Sequence, residues 1–167
     1  MKRLKSLFKC AVTVVFLGVG YSLPAAAQSV DIEQLLSDLA NPETENWESV
    51  ERQIRNEWSK SGSAAMDLLL KRGEEALEAE KFDLALEHLT ALTDHAPEFA
   101  EGWNARATAF FSKEMYGPAM DDLSRALDLN PRHFGALRGL GIILEEMERP
   151  NDALEVYQAV LELNPQS

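Results

Sequence analysis

Histidine beside carboxylate is the pairing from which metal sites and proton-transfer centres are built, and one stretch of the chain offers it. His88 and His95 share that stretch with Glu87, Asp94 and Glu98. Seven residues on a helix make about two turns, roughly 10 Å along the axis, so the two imidazoles cannot share an ion without a third element. His133 is remote in sequence. Acidic neighbours such as Asp121 with Asp122, and Glu145 with Glu146, diverge by about 100° around a helix and do not face one another for paired acid and base work. No H-E-x-x-H, P-loop, G-x-S-x-G or EF-hand pattern occurs. The residue chemistry therefore predicts no enzyme, no metal site and no cofactor, and reads these groups as solvated helix surface.

The elements that carry these residues recur. YGPAMDDLSRALDLNP, Tyr116 to Pro131, has an echo thirty-four residues earlier in FDLALEHLTALTDHAP, Phe82 to Pro97, and another thirty-four residues later in PNDALEVYQAVLELNP, Pro150 to Pro165. The segments before them also correspond: LLLKRGEEALEAEKF from Leu68, GWNARATAFFSKEMY from Gly102 and ALRGLGIILEEMERP from Ala136. Each unit is a helix, a tight break and a second helix. Gly73, Ala107 and Gly141 on the first helices, with Ala85, Ala119 and Ala153 on the second, present almost no side chain and allow antiparallel helices to approach closely. Pro97, Pro131 and Pro165 stop each second helix, because proline disfavours α geometry before it and has no N–H to donate. A single hairpin of this kind cannot bury both apolar faces, so neighbours must stack, and a small rotation per unit curves the stack around a concave face.

This pattern resembles the tetratricopeptide repeat, whose 34-residue unit carries a W-x-x-L-G-x-x-Y signature in its first helix and alanine, aromatic and proline marks in its second. The first-helix positions read Leu69, Arg72, Gly73, Ala76; then Trp103, Arg106, Ala107, Phe110; then Leu137, Leu140, Gly141, Leu144. Arg72 and Arg106 depart from the signature leucine, and Ala76 from the aromatic. The resemblance implies an all-α fold of antiparallel hairpins stacked as a short right-handed α-solenoid, with repeats at 66–99, 100–133 and 134–167 inside a region 63–167. It also implies a non-catalytic protein-protein interaction module that binds a peptide or partner segment in the concave groove. Carried onto this sequence, the groove-lining places are Leu70, Glu74 and Leu77 in the first unit, Asn104, Thr108 and Phe111 in the second, and Arg138, Ile142 and Glu145 in the third. Leu70 and Phe111 have a second reading, as side chains packed beneath the groove. The clamp that some members use for the carboxylate of a chaperone's tail is missing: Leu70 and Glu74 stand where a cation and an amide are needed, and Gly135 and Gly139 replace later cations.

The ends of the chain differ from the repeats. DIEQLLSDLA from Asp31 and NWESVERQIRNEW from Asn46 read as two further helices, the second with Trp47, Val50, Ile54 and Trp58 on one stripe and both with N-cap residues in Asp31 and Asn46. Residues 28–62 are thus expected to form a capping hairpin over the open amino-terminal edge, with SKSGS, Ser59 to Ser63, as the hinge. At the carboxyl end Leu154, Leu161 and Leu163 are expected to stay uncovered and to offer an association face, so a structural homo-oligomer is the alternative function. Residues 1–27 have the layout of a cleavable signal peptide: Lys2, Arg3, Lys5 and Lys9, an apolar run from Cys10 to Tyr21, then Pro24 and Ala25 to Ala27. An uncleaved anchor is the weaker reading, since a dozen apolar residues are few for a bilayer. Cleavage would remove Cys10, the chain's one cysteine, and four of 16 cations; the remaining 12 basic against 28 acidic side chains carry a formal charge of −16. Such a surface argues against nucleic acid and anionic membrane as partners. The expected place is the periplasm of a Gram-negative bacterium, and the expected role a cell-envelope scaffold or adaptor.

Overall fold

The computed structural model describes residues 30–167; the expected signal peptide, 1–27, and Cys10 within it lie outside them. Every regular element among the described residues is a helix. A hairpin of α1 (Ile32–Ala40) and α2 (Trp47–Trp58) precedes three helix pairs: α3 (Ala64–Glu78) with α4 (Phe82–His95), α5 (Ala100–Phe111) with α6 (Tyr116–Leu129), and α7 (Phe134–Glu146) with α8 (Pro150–Leu163). None of these helices is long and apolar enough to cross a membrane. The pairs stack in chain order, so that α3, α5 and α7 lie side by side on one face and form its wall.

The small residues sit where the helices of a pair cross. A Cβ added to Gly73 would lie 2.4 Å from Leu89 Cγ, and one added to Gly141 would lie 2.4 Å from the Tyr157 ring. Ala107, Ala119 and Ala126 are buried in the second core with Leu123, Ala136 and Ile143. The break inside each pair is built without glycine. Glu80, Glu114 and Glu148 adopt φ values of 55°, 59° and 57°, the left-handed conformation usual at a helix C-terminus. The following N–H reaches back to close the turn: Lys81 to the Ala76 carbonyl at 2.8 Å, Met115 to Phe110 at 3.0 Å, Arg149 to Leu144 at 2.8 Å.

Arg106 replaces the signature leucine with a polar latch between hairpins. Its guanidinium donates two 2.7 Å bonds to the Asp122 carboxylate on α6 and a 2.8 Å bond to Thr93 Oγ1 on α4. Trp103 lies under it at 4.8 Å. Asp122 and Thr93 are both buried, so the latch satisfies groups that would otherwise cost about 1–3 kcal/mol each if left unpaired.

The amino-terminal hairpin corrects the expectation that it covers the leading edge. It packs on the last repeat instead. Leu36, Leu39, Val50 and Ile54 share a core with Phe134 of α7, and Trp58 and Leu163 close that core. Trp58 stacks on His133 and meets the Phe134 ring at a tilt, each with ring centroids 4.9 Å apart. The physical reason lies in the two candidate surfaces. The leading helix α3 turns charged Arg72 and Glu75 outward, whereas the last repeat offers a bulky apolar residue beside a cation. Glu51, buried at 4 % exposure, accepts two bonds from the Arg138 guanidinium at 3.0 and 3.1 Å, one from Asn164 at 3.0 Å and one from Arg55 at 2.6 Å. Arg132 grips Glu33 of α1, and the Gln166 amide donates to the Asn41 and Thr44 carbonyls. Of the two expected N-caps, Asp31 accepts from the Glu33 and Gln34 amides, while Asn46 makes no side-chain cap.

Burial pushes the Glu51 carboxyl up, but hydrogen bonds and charge from Arg138, joined by Arg55 and Asn164, outweigh it and hold the pKa below the ordinary glutamate value. A carboxylate depressed in the folded state stabilises the fold above its unfolded pKa, and that contribution is lost as the pH falls toward the folded pKa. Urea denaturation should therefore show stability dropping below about pH 5. Glu51→Gln should cost about 2 kcal/mol at neutral pH and flatten that part of the pH profile.

Candidate functional site

The wall of first helices is not evenly available. Trp58 and Glu51 place α2 across the amino-terminal half of α7, and Asn56, Ser59 and Lys60 continue it past Leu70, Lys71 and Glu74 of α3. Beyond α2 the wall opens into a cavity of about 240 Å³ between α5 and α7. Ala107, Leu123 and Ile143 form its apolar floor, and Asn104, Thr108, Phe111 and Ile142 its rim. Gly135 and Gly139 leave the space: a Cβ on Gly139 would stand 3.4 Å from Leu123. The glycines that stand where the missing carboxylate clamp would need cations are the same ones that make room for an apolar side chain.

The remaining expected groove residues go elsewhere. Leu70 is 2 % exposed and belongs to the first core, against which Leu77 also packs. Arg138 is held by Glu51 and so is not free to fix a partner's carboxylate. Glu145 accepts a 2.8 Å bond from the Tyr157 hydroxyl of α8 and does not line the cavity. Leu163 is covered by the amino-terminal hairpin, which corrects its expected exposure, while Leu154 and Leu161 stay 57 % and 47 % exposed.

Three carboxylates, Glu74, Glu78 and Glu101, are near enough to influence one another, and Glu101 stands beside the cavity rim. Asn104 Nδ2 donates to Glu101 Oε1 at 2.9 Å. His133 Nδ1 accepts the Ala136 N–H at 3.1 Å, which leaves the proton on Nε2 to be donated to Glu101 Oε2 at 2.9 Å. His133 is thus a buried neutral N-cap of α7. Glu74 remains open to solvent on one side, yet partial burial raises its carboxyl pKa, and the charges of Glu101 and Glu78 push the same way. Glu101 escaped the sequence reading because its role depends on α3 and α5 lying in contact, which one helix stripe does not show. His88 is half-buried on α4 and His95 exposed at its end, and among the described residues no group of three or more His, Cys, Asp or Glu is placed to hold a metal ion. The arrangement is suited to receiving a side chain and holding a backbone by hydrogen bonds.

Models of the tetratricopeptide repeat match residues 70–119 and 134–167. The chain belongs to the tetratricopeptide repeat family. It is 34 % identical over 135 residues to a TPR repeat-containing protein of Rhizobium etli, a match covering 80 % of this chain and 66 % of that one. It is 28 % identical over 138 residues to the small glutamine-rich tetratricopeptide repeat-containing protein 2 of Saccharomyces cerevisiae, covering 78 % of this chain and 40 % of the relative. The chain thus spans less than two thirds of either relative. Among solved structures, the first TPR of Spaghetti (RPAP3) bound to HSP90 peptide SRMEEVD superposes with a TM-score of 0.61 at 26 % identity, covering 63 % of this chain and 83 % of that one.

Within the last helix pair Tyr157 packs against Gly141, at the place where Leu89 packs against Gly73 in the first. Burial, and then the hydrogen bond and charge of Glu145, push the Tyr157 hydroxyl up to about 12. Ultraviolet absorbance titration of the protein against Tyr157→Phe should assign one phenol to that range, and Glu145→Gln should bring it down toward the ordinary tyrosine value.

Proposed function

We propose that the protein is an exported interaction module that holds a segment of a partner protein along α5 and α7, and that it serves as a scaffold or adaptor in the cell envelope of a Gram-negative bacterium. The open cavity of about 240 Å³, with an apolar floor and a rim of Asn104, Thr108, Phe111 and Ile142, carries this reading. A cavity of this size suits one large apolar side chain, and the rim amide and hydroxyl suit the peptide backbone around it. The HSP90 peptide bound to the Spaghetti repeat supports the choice of a peptide-like ligand. Export rests on the basic, apolar and alanine-rich start of the sequence.

The exposure of Leu154 and Leu161 favours a second reading, assembly through α8. Their counterparts one and two repeats earlier, Leu127 with Met120 and Thr93 with Leu86, are covered by the following hairpin. A second copy cannot continue the stack in register, however. Leu68 and Glu75 on α3 stand where α5 has Gly102 and Ala109 and α7 has Ala136 and Ile143, so the leading face lacks the small and apolar residues such a contact uses. Light scattering of the protein and of a Leu154→Glu, Leu161→Glu variant separates this reading from the first.

Thr108 is exposed on the rim, so Thr108→Trp should fill the cavity without disturbing the fold. Crosslinking in cell envelopes should recover a partner with the natural protein and lose it with Thr108→Trp. Recovery of the same partner at the same yield by both would overturn the groove assignment.

A further inference from the structure

We propose that the groove selects a cationic segment: a Lys or Arg seated between Glu74 and Glu101, about three residues from a bulky apolar side chain in the α5/α7 cavity. This rests on the reading of that cavity as a peptide site and adds the charge and spacing of its occupant.

The repeat itself supplies the comparison. Shifting the cavity by thirty-four residues carries Thr108 onto Glu74 and Gly135 onto Glu101. The contact between α3 and α5 therefore has two carboxylates where the cavity between α5 and α7 has a hydroxyl and a glycine. The cavity takes an apolar side chain, and the carboxylate pair one repeat earlier suits a positive one.

Among the described residues these carboxylates have no cation of their own. No Lys or Arg among the described residues lies within ion-pair distance of Glu74, Glu78 or Glu101. The nearest lysines on that wall, Lys60 and Lys71, pair with Glu57 and Glu75. Glu101 has only the Asn104 amide and the neutral His133 ring. Burial first, and then the like charges of Glu101 and Glu78, raise the pKa of Glu74, and an incoming ammonium or guanidinium relieves that repulsion. Arg138, the cation of the groove, is neutralised by Glu51. An acidic segment would meet these carboxylates with nothing to offset them, whereas a basic one completes the pattern. The chain as a whole carries a formal charge of −12 and attracts such a segment from a distance.

Helix spacing sets the separation. Neighbouring first helices pack about 8–10 Å apart, and an extended peptide advances about 3.3 Å per residue. Side chains reaching the cavity and the carboxylate pair are therefore about three residues apart. That spacing also puts them on opposite sides of an ideal strand, so the segment turns slightly between them, as it must to follow a curved wall.

The test is fluorescence anisotropy of the purified protein with labelled Gly/Ser peptides that carry Lys-x-x-Phe, Phe-x-x-Lys or Glu-x-x-Phe, alongside SRMEEVD. One of the two lysine orders is expected to bind about tenfold or more tighter than the glutamate peptide and SRMEEVD, and to weaken as salt rises. Glu74→Gln with Glu101→Gln should remove about tenfold of that affinity, and Glu74→Gln alone, at a solvent-open position, should act in the same direction if the double variant unfolds. Thr108→Trp should abolish binding. Equal binding of the lysine and glutamate peptides, or glutamine variants that bind as before, overturns the charge assignment while leaving the cavity reading intact. Lysine peptides that fail to bind at millimolar concentration overturn it as well. Unchanged binding by Thr108→Trp instead overturns the cavity reading itself.

Discussion

The close crossing of two helices over a missing side chain governs this molecule. At Gly73 and Gly141 there is no room for a single methyl group, because Leu89 and Tyr157 already occupy the position it would take. Helices held this near one another bury Ala85, Ala119 and Ala153 almost completely, and the larger apolar residues are left to fill the grooves on either side. That packing makes each hairpin narrow, flat and unsatisfied on its outer faces, and it is the reason a stack forms. Over-packing such a crossing typically costs about 1–3 kcal/mol, which is a large part of what keeps a domain of this size folded.

Stacking leaves one helix of each pair facing inward, and the character of the inner wall follows from residues that the crossings do not constrain. Asn104, Thr108 and Ile142 line an apolar recess, Glu74 and Glu101 bring two carboxylates near one another beside it, and Arg138 is matched within the chain. A positive groove would have needed cations at Leu70, Gly135 and Gly139. Their replacement changes both the sign of the wall and its shape, since the glycines are what open the recess.

How much of this could be read from the sequence depended on whether a feature was local. The thirty-four-residue period and the small residues at its crossings gave the helix pairs and their order, because both are properties of one hairpin and its copy. The position of α2 was not legible. Trp47, Val50, Ile54 and Trp58 show that one side must be covered, but not that Phe134, more than seventy residues away in sequence, covers it. Arg106 looked like a weakened signature until Asp122 and Thr93 were found at its fork. Glu145 stands at a groove position by spacing, yet the tyrosine at 157, where the other repeats have leucine, draws it toward α8. The breaks after α3, α5 and α7 lack the glycine that usually announces a left-handed residue, and glutamate takes that conformation in all three.

The seating of α2 on the last repeat bears on how such an array can change in length. Trp47, Val50, Ile54 and Trp58 all sit on the core of the last repeat, so residues 59–63 alone return the chain to the start of α3; five residues reach about 17 Å at most, close to two steps of about 9 Å between neighbouring first helices. Tandem duplication of one unit, the ordinary way for a solenoid to grow, would carry Arg138, His133 and Phe134 a further step away and strand Glu51 without its counter-ion. The loop after α2 thus acts as a ruler, and it fits an array of three repeats between the start of α3 and α7.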